Sequence, residues 1–358
     1  MQSASQSPLL ATPGAVPADP SGPDAGVAWH YGDPFAEQRA LAGGLGLVDR
    51  SHRGVVRITG PDRLSWMHSV TTQALENLAP GSTAEALILS PSGHVEHHLI
   101  LTDDGTSLWA HVEPGTAGRL VEFLESMRFL LRVEPADVTG CYAVLTLMGP
   151  GAGPGLAGLA TAVTDYASGM DLIVHRERLA DAAAELRSLG AAAAGVWAYE
   201  ALRIAARRPR FGLDTDHRTI PHEVGWIETA VHLSKGCYRG QETVARVHNL
   251  GHPPRRLVFL DLDGSEDRLP GHSDPVAVAA GGTSVGFVGS AARHYELGPI
   301  GLALIKRTVP VDVTLETAGI AAAQEVIVAP DAGANVRVTV RAAAGLRRPR
   351  GDLSGQRE

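Results

Sequence analysis

The stretch Ser234-Lys235-Gly236-Cys237-Tyr238-Arg239-Gly240-Gln241-Glu242-Thr243-Val244-Ala245-Arg246 concentrates reactive residue types. Gly236 and Gly240 bracket a thiol in a turn, and helical character from Glu242 to Val247 places Cys237 just before a helix N-terminus. The partial positive charge of that terminus, with Lys235 and Arg239 alongside, favours the nucleophilic thiolate over the thiol. Composition marks Lys235 as well: of 31 basic residues, only Lys235 and Lys306 are lysine. Where arginine is used almost everywhere, a retained lysine points to a need for a compact, rotatable ammonium. The other cysteine, Cys141, opens the apolar run Tyr142–Met148 and is expected to be a buried small hydrophobe.

Three further constellations carry weaker chemistry. His94, Glu96 and His98 alternate along a strand spanning Gly93–Leu101, which would place all three on one face. That face is either a metal-binding set or, as preferred, a polar strand lining a cleft, and no metal ligand is assigned. Arg203, Arg207, Arg208 and Arg210 crowd one helix end, where they either complement the macrodipole or form an anion site. Gly153-Pro154-Gly155-Leu156-Ala157-Gly158 fits the letters of a dinucleotide fingerprint after a strand. Such a match arises easily among 41 glycines, and Pro154 removes a backbone donor that a pyrophosphate would need. It reads as a connection between elements.

The elements that must position these residues alternate in type. Asp33-Pro34 starts a helix that stops at Gly43-Gly44. Gly54–Thr59, Ala84–Leu89, Val95–Leu101 and Ser107–Val112 read as strands, with Pro91-Ser92-Gly93 as a hairpin turn. Leu120, Phe123, Leu124 and Met127 recur at helical spacing. A second αβ region has strands at Tyr142–Met148 and Met170–Val174 and helices at Leu179–Leu189 and Trp197–Arg207. After about Arg255, short alternating runs at 257–262, 276–279, 285–288, 302–305 and 311–315 give a small antiparallel barrel. The boundaries expected are a disordered tail at 1–27, αβ domains at 28–140 and 141–252, a barrel at 253–343 and a basic tail at 344–358.

Totals narrow the class. A formal charge of −8 lacks the field of a general nucleic-acid binder. Two cysteines cannot build a disulfide framework and suit a reducing compartment. No run reaches the ~18 apolar residues of a membrane span, and the first residues fit neither a secretory signal nor a transit peptide. A soluble, cytoplasmic protein is expected.

KGCYRGQETVAR resembles the K-G-C-[YF]-x-G-Q-E signature of the YgfZ family of folate-binding proteins, related in fold to the glycine-cleavage T-protein, a tetrahydrofolate-dependent aminomethyltransferase. Leu47-Val48-Asp49-Arg50-Ser51-His52-Arg53-Gly54 with Ile58-Thr59-Gly60-Pro61-Asp62 resembles the N-terminal signature of both groups. Leu202-Arg203-Ile204 with Pro221-His222-Glu223 resembles the central part, and Gly301–Arg307 a motif of the C-terminal barrel. The resemblance implies an α+β, three-domain ring: two mixed αβ domains with antiparallel sheets around a central folate pocket, plus a small antiparallel β-barrel. It implies tetrahydrofolate or a derivative as cofactor, held by Tyr199, Arg203, Glu223, Gly236, Tyr238, Gly240, Gln241, Glu242 and Arg246. Cys237 and Lys235 become the central functional pair, in a protein that maintains or assembles clusters of iron–sulfur enzymes, including radical enzymes that modify tRNA. Expected partners are a folate and iron–sulfur client proteins, with no direct nucleic acid and no membrane, and a monomer is expected.

Two departures from the T-protein pattern bear on activity. Its catalytic aspartate pair is replaced by Glu96-His97, and its folate-binding glutamate, two residues beyond Arg203, by Ala205. Tyr199 stands near a position where some relatives stack a tryptophan on the folate, and reads equally as a core ring. The alternative function is a folate-dependent aminomethyltransferase or demethylase, with Glu96 and His97 as its acid and base.

Overall fold

The computed structural model describes residues 6–166, 169–265, 267–279 and 282–334. In chain order its elements are β1 (Val16–Pro17), β2 (Ala28–His30), α1 (Pro34–Gly43), β3 (Gly46–Asp49), β4 (Gly54–Thr59), α2 (Arg63–Val70), β5 (Thr83–Leu89), β6 (Val95–Asp103), β7 (Ser107–Val112), α3 (Ala117–Ser126) and β8 (Glu134–Asp137). Then come β9 (Tyr142–Met148), β10 (Ala162–Tyr166), β11 (Gly169–His175), α4 (Leu179–Ser188), β12 (Ala192–Ala194), α5 (Val196–Ala205), α6 (Trp226–Thr229) and α7 (Gln241–Asn249). The last six strands are β13 (Arg255–Leu262), β14 (Pro275–Val278), β15 (Ser284–His294), β16 (Gly298–Lys306), β17 (Leu315–Thr317) and β18 (Ile320–Val326).

Local rules set several of these limits. Asp33 Oδ1 accepts from the backbone N–H of Phe35 (3.1 Å) and Ala36 (2.9 Å), and Pro34 opens α1, so orphan donors are met where the sequence provides a cap. On α3, Ala117, Leu120 and Leu124 form the buried stripe that packs on the first sheet. That sheet, β5-β6-β7-β4-β8, is antiparallel throughout. A second sheet, β10-β11-β9-β3-β12, contains one parallel pair, β3 with β12. The barrel closes in the order β13-β16-β15-β14-β17-β18.

Strand alternation decides how the barrel joins the rest. Val258, Leu260, Ala303 and Ile305 fill its interior. Their neighbours Leu257, Phe259, Leu302 and Leu304 face outward into a shared core with Leu87, Leu89 and Val95 of the first sheet, Ala201 and Ile204 of α5, Trp226 and Tyr238. All three units bury side chains in that cluster.

Several expectations need correction. The span 1–27 is not a disordered tail over its described part: Ser7 caps a short 3₁₀ turn at Pro8–Ala11, and β1 pairs with β2. Leu9, Ala18 and Val27 are buried anchors, too sparse among Pro and Gly to register in composition. Domain limits at 28–140 and 141–252 do not follow the sheets, because β3 pairs with β9 and β12 in the second sheet. The run at 311–315 reaches a strand only at Leu315, while β18 was not anticipated because its Ala-rich IAAAQEV carries little β signal. Cys141 is exposed, since it precedes β9. The glycine-rich Gly153–Gly158 stretch contributes a 3₁₀ turn at Pro154–Leu159, which presents no α-helix N-terminus to a phosphate. The tail expected at 344–358, and positions 335–343 of the expected barrel boundary, lie outside the described residues.

Candidate functional site

The cysteine loop is fixed at both flanks and open at the thiol. Lys235 is buried, and its Nζ donates to the carbonyls of Thr71 (2.6 Å), Gln73 (3.2 Å) and His68. His68 and Thr71 stand at the C-terminal end of α2, where a cation meets both the unpaired carbonyls and the negative end of the macrodipole. Burial pushes the ammonium down to about 8. Tyr238 is buried in the shared core, its ring centroid 5.2 Å from Lys235 Nζ, and burial pushes its hydroxyl up to about 12. Between them Cys237 is exposed.

Arg239 donates to Glu96 Oε2 (2.7 Å) on β6 and lies 5.4 Å from the Phe123 ring centroid of α3. Gly240 has φ +81°, and a Cβ there would sit 2.6 Å from the Ser90 carbonyl oxygen. Gly93, also left-handed at φ +81°, would place a Cβ 2.7 Å from Thr243 Cβ. The β5–β6 hairpin and the start of α7 therefore approach each other at glycine distance, which seats the cysteine loop on the first sheet.

These contacts revise the thiol's expected surroundings. An ammonium has three N–H donors, and Lys235 spends its own on carbonyls. Arg239 is paired with a carboxylate. Both cations hold the loop in place, and the N-terminus of α7 is left as the favourable charge nearest Cys237 in sequence.

The expected His94–Glu96–His98 face comes apart. A bulge between the β5–β6 pairs Ile88–His97 and Leu89–Val95 breaks the alternation at Glu96. Glu96 bonds Arg239, and His97 is buried against the same Phe123 ring that Arg239 covers, with a 6.3 Å ring separation. Burial, and then the Arg119 charge, push the His97 imidazole down to about 4. His98 bonds Glu85 Oε1 (2.6 Å) and stacks on Trp226 at 4.6 Å and 12°. Glu85 sits below the usual carboxylate range: burial raises it, and bonds to His98 and Thr229 with the Arg208 charge outweigh that.

Other nominated residues are committed to partners. Tyr199 lies under the Arg50 guanidinium at 4.4 Å. Arg203 donates to Glu200 (2.8 Å), Asp214 (2.8 Å), Ser290 Oγ (2.9 Å) and the Arg208 carbonyl (2.5 Å). Glu223 is fully buried against Arg255 (2.8 and 2.9 Å) and accepts from the Ile220 N–H (3.1 Å). Gly236, Glu242 and Arg246 are exposed, and Gln241 is half-buried. The nominees thus occupy the cysteine loop, α7, α5 and the Glu223–Arg255 pair.

Arg203 and Arg210 belong to a buried ionic centre that the sequence reading missed. Arg210 pairs with Asp24 (2.8 Å), Glu113 (2.8 Å) and Glu200 (3.4 Å). Arg53 pairs with Glu113 (2.5 Å) and donates to His111 Nδ1 (3.0 Å), and His111 Nε2 faces Asp171 (3.0 Å). Thr146 Oγ1 (2.5 Å) and Arg50 (3.4 Å) complete the surroundings of Asp171. Burial pushes Glu113 up, but Arg53 and Arg210 hold it well below the usual carboxylate range. Burial likewise pushes His111 down to about 4. The signal available was a lone charge inside an apolar strand, as with His111 in SLWAHV and Asp171 in GMDLIVH. Arg207 pairs with Glu325, so of the arginines at the α5 end, Arg203, Arg207 and Arg210 bind this chain's own carboxylates.

Two mixed α+β units sharing a core with a closed six-stranded barrel define the class of fold. The glycine cleavage system aminomethyltransferase T from Bartonella henselae has that fold, with a TM-score of 0.75 and 19% identity over 89% of this chain and 94% of its own. The GCVT N-terminal domain matches residues 28–168. An aminomethyltransferase of Rubrobacter xylanophilus is 31% identical over 302 residues, covering 77% of this chain and 80% of the relative, and the chain belongs to this aminomethyltransferase family. A chloroplastic protein of Arabidopsis thaliana, named as a transferase, is 25% identical over 298 residues, and the chain spans 66% of its length. Among the described residues no helix is long and apolar enough to cross a membrane.

Proposed function

We propose that this protein is a folate-binding accessory factor of the YgfZ type, supporting assembly or maintenance of iron–sulfur clusters, with Cys237 as the thiol through which it acts. The observation that carries this reading is an exposed Cys237 held between two buried, anchored residues, Lys235 and Tyr238. A thiol so placed is reachable by a partner and confined in direction.

The folate reading rests on family membership and on groups suited to a pteridine. Such a ring needs a flat surface and a carboxylate for its amino and N–H edge. The His98–Trp226 stack and Glu85 supply these types together, and Arg208, three residues beyond Ala205, bears on the Glu85 carboxylate. Tyr199, Arg203 and Glu223 act as supports, since their polar or ring faces are taken by Arg50, Glu200, Asp214 and Arg255. The folate, when bound, supplies one-carbon chemistry or an ordering ligand.

The alternative, aminomethyl transfer or demethylation, draws on the relatives' names. It is disfavoured by the pairing of Glu96 with Arg239 and the burial of His97 against Phe123, which commit the carboxylate to an ion pair and seal the imidazole from a substrate. Titration of 5-formyltetrahydrofolate into wild type, Glu85→Gln and Cys237→Ala distinguishes the parts. Binding weakened by Glu85→Gln and kept by Cys237→Ala is expected, with Cys237→Ala unable to restore iron–sulfur enzyme activities in a deletion strain. Full restoration by Cys237→Ala rejects the role given to the thiol, and folate turnover lost in Glu96→Gln favours the enzyme.

A further inference from the structure

The segment between α3 and β8 turns its apolar side chains outward. Met127, Phe129, Leu130 and Leu131 are exposed, and Phe129 (83%) and Leu130 (87%) are the most exposed large apolar residues among those described. Both flanks are pinned. Trp66 Nε1 donates to the Met127 carbonyl (3.4 Å) and Arg128 to the Val133 carbonyl (3.2 Å), while Asp62 accepts from the Arg132 backbone N–H (2.9 Å). Leu130 holds φ +53°, a left-handed backbone that a bulky residue adopts only under constraint. Fixed at its ends and in its middle, the segment keeps Phe129 and Leu130 in solvent. Arg128, Leu130 and Arg132 also wall a hollow of about 450 Å³, which Gly60, Val133 and Glu134 complete where β4 ends and β8 begins.

A knob beside a hollow on one face fits a second copy turned by a two-fold, so that each copy's Phe129 and Leu130 enter the other's hollow. Charge agrees with that occupant. Arg128 is paired with Glu125 (3.3 Å) and Arg132 with Asp62 (2.6 Å), so the flanking cations are neutralised in a chain of net charge −8. Two copies meet there without like-charge repulsion, whereas an anionic lipid surface finds no uncompensated cation. Arg132 stays 74% exposed within its pair, open to the Glu134 carboxylate of the second copy and to its Phe129 ring. The four apolar residues expose roughly 500 Å², so a pair covers about 1,000 Å² before its polar rim, at the lower end of specific interfaces. We infer that two copies of this chain pair through the 127–132 segment as a reversible dimer, in place of the monomer expected from sequence.

Sedimentation velocity of the full chain up to about 200 µM tests the assignment, with a dimer dissociation constant of about 1–100 µM expected for so small an interface. Leu130→Gly removes the side chain and suits the left-handed backbone, so it should weaken pairing about tenfold or more while circular dichroism shows the fold kept. Phe129→Ser should have the same effect by a second route. Leu297→Ser, at an exposed leucine of the barrel's β15–β16 turn, should leave pairing intact. A chain that stays monomeric at about 200 µM, or a dimer unchanged by both Leu130→Gly and Phe129→Ser, overturns the inference. So does flotation of a monomer with phosphatidylserine vesicles, which would assign the patch to a lipid surface.

Discussion

The ionic centre and the cysteine loop use charge in opposite ways. In the centre, Arg50, Arg53, Arg203 and Arg210 are buried and meet Asp24, Glu113, Asp171, Glu200 and Asp214, so the guanidinium forks hold elements from different sheets together. In the loop, the cations are equally committed, but to carbonyls and one surface carboxylate, and what they hold in place is an exposed thiol. Buried charge is retained where it fixes geometry, and reactivity is left where solvent and partners can reach.

The comparison breaks first at Arg210. Arg210→Ala removes the cation shared by Asp24, Glu113 and Glu200, leaving them only His52, Arg53 and Arg203, and should cost about 3 kcal/mol in urea denaturation, with a fall in melting temperature. A loss below about 1 kcal/mol would mean that the network is dispensable packing.

Acid sharpens the same contrast. His97, His111 and His222 each protonate near pH 6.5 unfolded but at about 4 when folded, chiefly through burial. Between those values the unfolded chain holds more protons, so stability falls as pH drops, by up to ~1.4 kcal/mol per pH unit for each imidazole. Unfolding midpoints at pH 7 and pH 5 measure this. His111→Gln should flatten the slope by one proton, whatever it does to stability at pH 7.

The loop gives the smallest thermodynamic effects. Lys235→Arg replaces a point donor aimed at converging carbonyls with a planar fork, at about 1–3 kcal/mol. Cys237→Ala should stay within ~0.5 kcal/mol of wild type, because the side chain is exposed. Iodoacetamide labelling read by mass spectrometry separates the two exposed thiols. Faster modification of Cys237 than of Cys141 is expected from the α7 terminus, and equal rates would remove the case for an activated thiol.

Much of the local framework was legible. The strands at Gly54–Thr59, Ser107–Val112 and Tyr142–Met148 have the limits their apolar patterns predicted, as does the start of α1 at Pro34. The Ala-rich β12 and β18 were not, since alanine carries no β preference and their pairing comes from neighbours. At the candidate site, the glycines around Cys237 announced a turn, but the direction of Lys235 was hidden, because its carbonyl partners lie on α2.

Residue order by itself determined the alternation of αβ units with a terminal barrel, the capped helix starts and the glycine-bracketed cysteine. Tertiary structure alone decided which charges are buried together, that β3 joins the second sheet, that Glu96 is held by Arg239, and that Lys235 serves a helix end. The physical reason is range. Periodicity and caps act within a few residues, whereas desolvation and ion pairing depend on what the folded chain brings alongside from far away in sequence.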